Sequence, residues 1–167
     1  EKITRNAEQL DSIVQALAQY QQKLPHEALC DVDIAPIVRA VASRLGLSSN
    51  IHCPQRLPAV HAYPGQLEVL LEELLTNALK FRSPHRPLSV QVQGELIAAN
   101  GKTGTVMLTV TDNGTGFNPI YNERVCDLFF RAHEPTISGH GLGLSLCRRI
   151  DRKSTRLNSS HTDISRM

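Results

Sequence analysis

Glu73, Asn77 and Lys80 stand four and then three residues apart in the run Glu73-Leu-Leu-Thr-Asn77-Ala-Leu-Lys80. On a helix that spacing lines a carboxylate, a carboxamide and an ammonium along one face. A carboxamide oxygen is a good Mg²⁺ ligand when phosphates supply the rest of the shell, and an ammonium beside it neutralises phosphate charge. Taken alone, the stripe is better read as a solvated helix face. The second group is Thr111-Asp112-Asn113-Gly114-Thr115-Gly116-Phe117. Its two glycines allow a ligand close to the backbone, and an Asp at a strand end can accept from an exocyclic amine. A plain connecting turn has the same composition. The third, Leu128-Phe129-Phe130-Arg131, reads most simply as a helix end docking its aromatics. The fourth is Gly139-His140-Gly141-Leu142-Gly143-Leu144, running into a helical pattern. Each interior helical glycine costs about 1 kcal/mol. Three alternate glycines at a helix start are therefore best explained by backbone N–H groups that cradle an anion. The spacing is not that of G-x-G-x-x-G, and no parallel βαβ unit surrounds it.

The elements that must position these residues follow from periodicity. The wide apolar face of Leu67, Leu70, Leu71, Leu74, Leu75, Ala78 and Leu79 predicts the strongest helix over 64–81, stopped by Ser83-Pro84 and Pro87. A second amphipathic helix is expected over 34–47, with Asp33 as its N-cap and Pro36 tolerated in the first turn. Residues 26–33 read as a connector with a short edge strand, and 50–61 as a short strand and loop. Alternating apolar residues predict strands over 88–98 and 106–111, joined by a hairpin loop at 100–104. A helix is expected around 121–130, a loop over 131–140, and a helix opening at Gly141 whose apolar pattern is lost at Ile150. Helices interleaved with an antiparallel hairpin define an α+β, two-layer sandwich. Before all this, Ile3, Ala7, Leu10, Val14, Leu17, Gln21 and Leu24 alternate in steps of four and three, the seam of a coiled coil, until Pro25 ends the helix. Residues 1–24 thus predict a helix that pairs with a partner, giving a dimer.

Charge and composition narrow the function classes. The chain of 167 residues carries a net charge of +2, yet residues 1–150 hold 14 basic and 14 acidic side chains. The excess belongs to residues 151–167, DRKSTRLNSSHTDISRM, which read as a disordered tail foreign to the domain. A neutral domain argues against nucleic acid as a partner. No apolar run reaches the roughly 20 residues that cross a bilayer, so no membrane segment is expected within this stretch. Four scattered cysteines, without a C-x-x-C pair, read as free thiols of a cytoplasmic protein.

Taken together and in order, ELLTNALKF, DNGTGF, LFFR and GHGLGL resemble the N, G1, F and G2 boxes of the sensor histidine kinase ATP-binding domain, a fold shared with DNA gyrase and its ATPase relatives. The stretch from Asn122 to Ile150, with its short lid, looks most like phytochrome-type kinases. The resemblance implies ATP and Mg²⁺ as cofactors, with Asn77 on the metal and Lys80 near the phosphates. Asp112 would accept the adenine amino group, and Gly114 and Gly116 would shape the pocket. Phe130 would anchor a lid closing between Arg131 and Ser138. Gly139, Gly141 and Gly143, with Leu142 and Leu144, would hold the phosphates. It further implies a protein-histidine kinase of two-component phosphorelay: transfer of the γ-phosphoryl to a histidine, then to a response regulator receiver domain. Residues 1–24 would be the second helix of the dimerisation and phosphoacceptor hairpin, giving a homodimer, and 25–150 the catalytic domain.

Three departures shape the expectations. Glu73 stands where these kinases usually carry a second asparagine and where gyrase-like ATPases have a hydrolytic glutamate. It is assigned to catalysis with Asn77 and Lys80, as a base for water or a Mg²⁺-side ligand. The phosphoacceptor helix is missing, and His26-Glu27, after the helix end, reads as surface. The family's domain continues beyond Ile150, so the sheet is expected to be incomplete. The rivals are a gyrase-like ATPase or switch using Glu73, and a degenerate module that only dimerises.

Overall fold

In a computed structural model the described residues are 27–97, 105–132, 139–158 and 164–165, together with Ala18. The coiled-coil helix expected over 1–24, the hairpin loop at 100–104, most of the lid, His26 and His133 lie outside the described residues, Ala18 apart.

Strand β1 (Cys30–Val32) leads through Asp33 into α1 (Ile34–Arg44), and the Asp33 carboxylate accepts from the Ala35 N–H at 3.1 Å, capping the helix as expected. At its other end Gly46 takes φ +70°, donating to Ser43 while Leu47 donates to Ala42. This Schellman ending explains why α1 stops at Arg44, three residues short of the sequence pattern, and it tucks Leu47 into the core. Strands β2 (Ile51–His52) and β3 (Val60–Ala62) bracket the Pro54 and Pro58 loop. Pro64 then opens α2 (Pro64–Lys80), where its missing N–H is harmless. Strands β4 (Val90–Ile97) and β5 (Thr105–Asp112) form the central hairpin pair.

The sheet order is β2-β4-β5-β6, with β6 at Ile164–Ser165, and β1 pairs with β3 as a separate two-stranded ribbon. Strands β4 and β5 are antiparallel, from Val90 opposite Asp112 to Ile97 opposite Thr105. Val90, Val92, Val106, Leu108 and Val110 are all buried, on the one sheet face that the helices cover. Against them lie Leu70, Leu71, Leu74, Leu75 and Ala78 of α2, Val38 and Val41 of α1, and Leu146 and Ile150 of α3 (Gly143–Asn158). The two-layer α+β sandwich read from the sequence is the architecture observed. Arg44, the last residue of α1, ties that helix to α2, reaching Glu68 at 2.6 Å and Glu72 at 3.5 Å. All three side chains are solvent-exposed, so the bridge contributes little to stability.

Three expectations are corrected. The segment after the glycine loop is not a helix over 121–130 but a 3-10 turn at Pro119–Tyr121 followed by irregular turns. Asn118 caps it through the Ile120 N–H at 3.1 Å, and Phe129 at φ +63° excludes helical continuation. The helix opened by the glycines starts at Gly143 rather than Gly141, and it runs past Ile150 to Asn158. β6 then pairs in parallel with β5, Leu108 opposite Ile164, so residues 151–158 and 164–165 are not an unstructured tail and the sheet does not end at β5. Propagating an existing helix adds one hydrogen bond per residue fixed, so an apolar period is not required.

Leu75 is fully buried in the shared core. Leu75→Ala is expected to lower stability by roughly 2–5 kcal/mol. A urea titration would read this as an earlier midpoint with unchanged slope.

Candidate functional site

A cavity of about 630 Å³ opens where α2, the end of β5 and the start of α3 meet. The strand phase accounts for Asp112. It lies two residues beyond Val110, so it shares the helix-facing side of β5 at the point where the core gives way to the cavity. Its Oδ1 accepts from the Gly114 N–H at 2.9 Å. Gly114 has no room for a side chain: a Cβ there would stand 2.5 Å from the Phe81 carbonyl oxygen and 2.7 Å from Asp112 Oδ1. Gly116 holds φ +64° with open space around it, so its glycine serves backbone conformation rather than packing.

From α2, Glu73, Asn77 and Lys80 line the cavity on the side facing α3. The first turn of α3 approaches them backbone-first. A Cβ on Gly143 would lie 2.5 Å from Glu73 Oε2 and 3.8 Å from Asn77 Nδ2, and one on Gly139 would collide with Lys80 Nζ. Gly141, at φ +71°, passes so near the aromatic loop that a Cβ would stand 2.5 Å from the Phe130 carbonyl oxygen. The Phe129 N–H donates to the Gly141 carbonyl at 3.0 Å, which ties the two loops together. Phe130 is held by the Tyr121 ring, with centroids 5.4 Å apart, and by Arg124, whose guanidinium carbon stands 4.6 Å from its ring centroid. Leu142 and Leu144 complete this wall.

Lys80 sits 5.7 Å from the Phe81 ring centroid. Partial loss of water and then the Arg131 charge push its ammonium below the usual lysine range, while Glu73 pulls the other way. The lysine is thus a cation that the site already makes uncomfortable, and a bound anion relieves it. All twelve residues singled out in the sequence, from Glu73 to Leu144, line this one cavity. The sequence reading missed Arg86, Asn113 and Phe117, and named Arg131 only as the lid's first residue; all four line it too. Asn113 stood inside the quoted motif and its turn-forming type was the available signal. Arg86 lay in a proline-bounded connector and gave none.

The comparisons with known proteins agree with this geometry. The fold superimposes on the mycobacterial sensor histidine kinase MprB with a TM-score of 0.60, 25% identity, and coverage of 76% of this chain and 80% of that one. The catalytic domain of histidine kinase ThkA shares the fold, with a TM-score of 0.58 at 20% identity over 77% of this chain and 82% of that one. In sequence, the adaptive-response sensory kinase SasA of Synechocystis sp. is 31% identical over 123 residues, 73% of this chain and 30% of that protein. Cyanobacterial phytochrome A of Nostoc sp. is 36% identical over 95 residues, 56% of this chain and 12% of that protein. The chain spans less than a third of the length of these two curated relatives. A nucleotide-binding fold of the sensor-kinase type is what fold and cavity define. Residues 62–163 match the histidine kinase-, DNA gyrase B-, and HSP90-like ATPases, and the chain belongs to that family.

Two outcomes follow from the glycine geometry. Gly141→Ala meets fixed backbone at positive φ and is expected to lower the melting temperature by several degrees while loosening Phe129 and Phe130. Gly143→Ala meets only the end of the Glu73 side chain, so calorimetry should find the fold nearly as stable. For Lys80, ¹³Cε NMR titration should show a pKa below that of an ordinary lysine. Arg131→Gln is expected to raise it and Glu73→Gln to lower it further.

Proposed function

We infer that the chain is the ATP-binding catalytic part of a two-component sensor histidine kinase. The observation that carries this reading is the set of polar groups that line this cavity. Its lining combines an acceptor for an exocyclic amine, Asp112 from the end of β5, with an ammonium and a carboxamide from α2 and a glycine-opened helix start from α3. ATP fits that lining: adenine at Asp112 with Gly114 and Gly116 beside it, and the triphosphate between Lys80 and the N–H groups of Gly139, Gly141 and Gly143.

Mg²⁺ fits the donors present. Among the described residues no cluster of three or more His, Cys, Asp or Glu side chains stands ready to hold a metal. An ion here would therefore draw most of its shell from phosphate and water, with the Asn77 oxygen as protein ligand and Glu73 one turn away. Bound there, it would neutralise charge on the phosphate oxygens as the γ-phosphoryl leaves. The chain's own residues bind and orient the nucleotide: Asp112 sets the base, Lys80 draws in the phosphates, and Phe130 props the lid. Such transfer rests on positioning and charge neutralisation, which suits a site with no nucleophile of its own.

The acceptor is a histidine on a helix outside this sequence, from which the phosphoryl passes to a response regulator receiver domain. Residues 1–24 would join two copies as a homodimer. No helix among the described residues is long and apolar enough to cross a membrane. A second reading, hydrolysis with Glu73 as the base, is favoured by one observation. The Glu73 carboxylate reaches the α3 start beside Asn77, at the phosphate end of the cavity.

Calorimetry with Mg·ATP should detect binding by the wild type, lost or made Mg²⁺-independent in Asn77→Ala. Asp112→Asn should weaken it by about 10–100-fold. Absence of wild-type binding would overturn the reading. With labelled ATP and a histidine-bearing acceptor helix, Glu73→Gln that stops phosphate release but spares transfer would assign Glu73 to hydrolysis. Loss of transfer would assign it to the kinase reaction.

A further inference from the structure

We propose that Arg86 is a positioning residue for base recognition, its guanidinium setting the amide that aims the Asp112 carboxylate into the nucleotide cavity. The inference rests on the reading of that cavity as an ATP site.

Arg86 lies in the connector between α2 and β4, outside the hydrophobic core. Its Nε donates to the Asn113 carbonyl at 2.7 Å and its Nη2 to the Gly114 carbonyl at 2.9 Å. Two successive carbonyls are thus gripped by one planar fork, a pairing that an ammonium cannot reproduce. What the fork holds matters because a peptide unit is rigid. The Asn113 carbonyl and the Gly114 N–H belong to the same unit, and that N–H donates to Asp112 Oδ1 at 2.9 Å. The Gly114 carbonyl and the Thr115 N–H belong to the next unit, and that N–H donates to the Phe81 carbonyl at 2.9 Å. Both amides at the floor of the cavity are therefore held at their two ends. Arg86 holds the oxygens, while Asp112 and Phe81 hold the N–H groups.

The loop does not depend on Arg86 to stay in place. Asn113 fastens it to the same connector on its own. Its Oδ1 accepts from the Ser89 N–H at 2.9 Å, its Nδ2 donates to the Pro87 carbonyl at 2.9 Å, and its backbone N–H donates to the Ser89 carbonyl at 3.1 Å. Removing the guanidinium leaves the loop attached but releases the tilt of the amide that Asp112 leans on. The consequence falls on base discrimination. Adenine presents an amine donor where guanine presents a carbonyl acceptor. A carboxylate held in one orientation separates the two, and one free to swing does so less well.

The test is displacement of trinitrophenyl-ATP from the whole 167-residue chain by ATP and by GTP. The wild type should prefer ATP. Arg86→Met should lose about tenfold in ATP affinity and little in GTP affinity, so that the preference shrinks about tenfold. Arg86→Lys should behave like Arg86→Met, and the melting temperature of both should stay close to the wild type. Equal weakening of both nucleotides would assign Arg86 a merely structural part. An unchanged preference, or full rescue by lysine, would also overturn the proposal. A wild type that binds no ATP, or shows no preference for it, would instead bring down the ATP-site reading, and this inference with it.

Discussion

The glycine run that enters α3 lies close against α2 and the aromatic loop. Gly139 abuts Lys80, Gly141 abuts the Phe130 carbonyl, and Gly143 abuts the Glu73 carboxylate. This approach makes a single pocket out of what would otherwise be a polar helix face and a separate loop. It also obliges α2 to serve two masters. Leu71 and Leu75 fill the core, while Glu73 and Asn77, each two residues further on, lie about 200° round the helix and stay at the cavity. Closure of α3 on the apolar side is dry. Leu146, Cys147 and Ile150 pack inward, and the Cys147 thiol points at the Leu70 carbonyl, 3.8 Å away. The same helix contact thus seals the core at one end and opens a wet, backbone-lined site at the other.

The opposite wall is built by different means. Strand β5 brings Asp112 to the cavity by phase alone, since alternate residues share a face and Val106, Leu108 and Val110 are committed to the core. Beyond the strand, conformation has to be imposed by hydrogen bonds. Thr115 donates to the Phe81 carbonyl through its N–H at 2.9 Å and its hydroxyl at 3.2 Å, and Arg86 and Asn113 stitch the same loop to the connector. The end of α2 therefore anchors both walls, one through glycine contacts and one through its final carbonyl.

This division explains how much was legible in the sequence. Periodicity exposed the two-layer fold, because burial of Leu67–Ala78 and of alternate β4 and β5 residues leaves a regular trace. Spacing exposed the twelve cavity residues, because helix and strand geometry convert it into common faces. Arg86 was invisible, since its partners stand 27 and 28 residues away and only chain closure joins them. The 121–130 segment misled because its apolar residues mimic a helix. In fact Phe129 bonds across to Gly141, and Leu128 and Phe129 are exposed. The continuation of α3 beyond Ile150 was missed because hydrogen-bonded turns need no apolar stripe, and β6 has only two residues, too few for any period to register.

Net charge turns out to be the wrong scale for this site. Residues 1–150 balance 14 basic against 14 acidic side chains, so no long-range field draws in a polyanion. The work falls to groups within a few ångströms: Lys80 and Arg131, which repel one another, and the N–H groups freed at the α3 start. Glu73 at that same end is the discordant charge. A carboxylate beside a triphosphate is repulsive unless a cation lies between them, and Lys80 alone cannot face both. On the ATP reading, Glu73 therefore makes the phosphate end dependent on a metal ion more strictly than an asparagine there would. Free nucleotide meets a negative group, whereas the metal complex meets a partner.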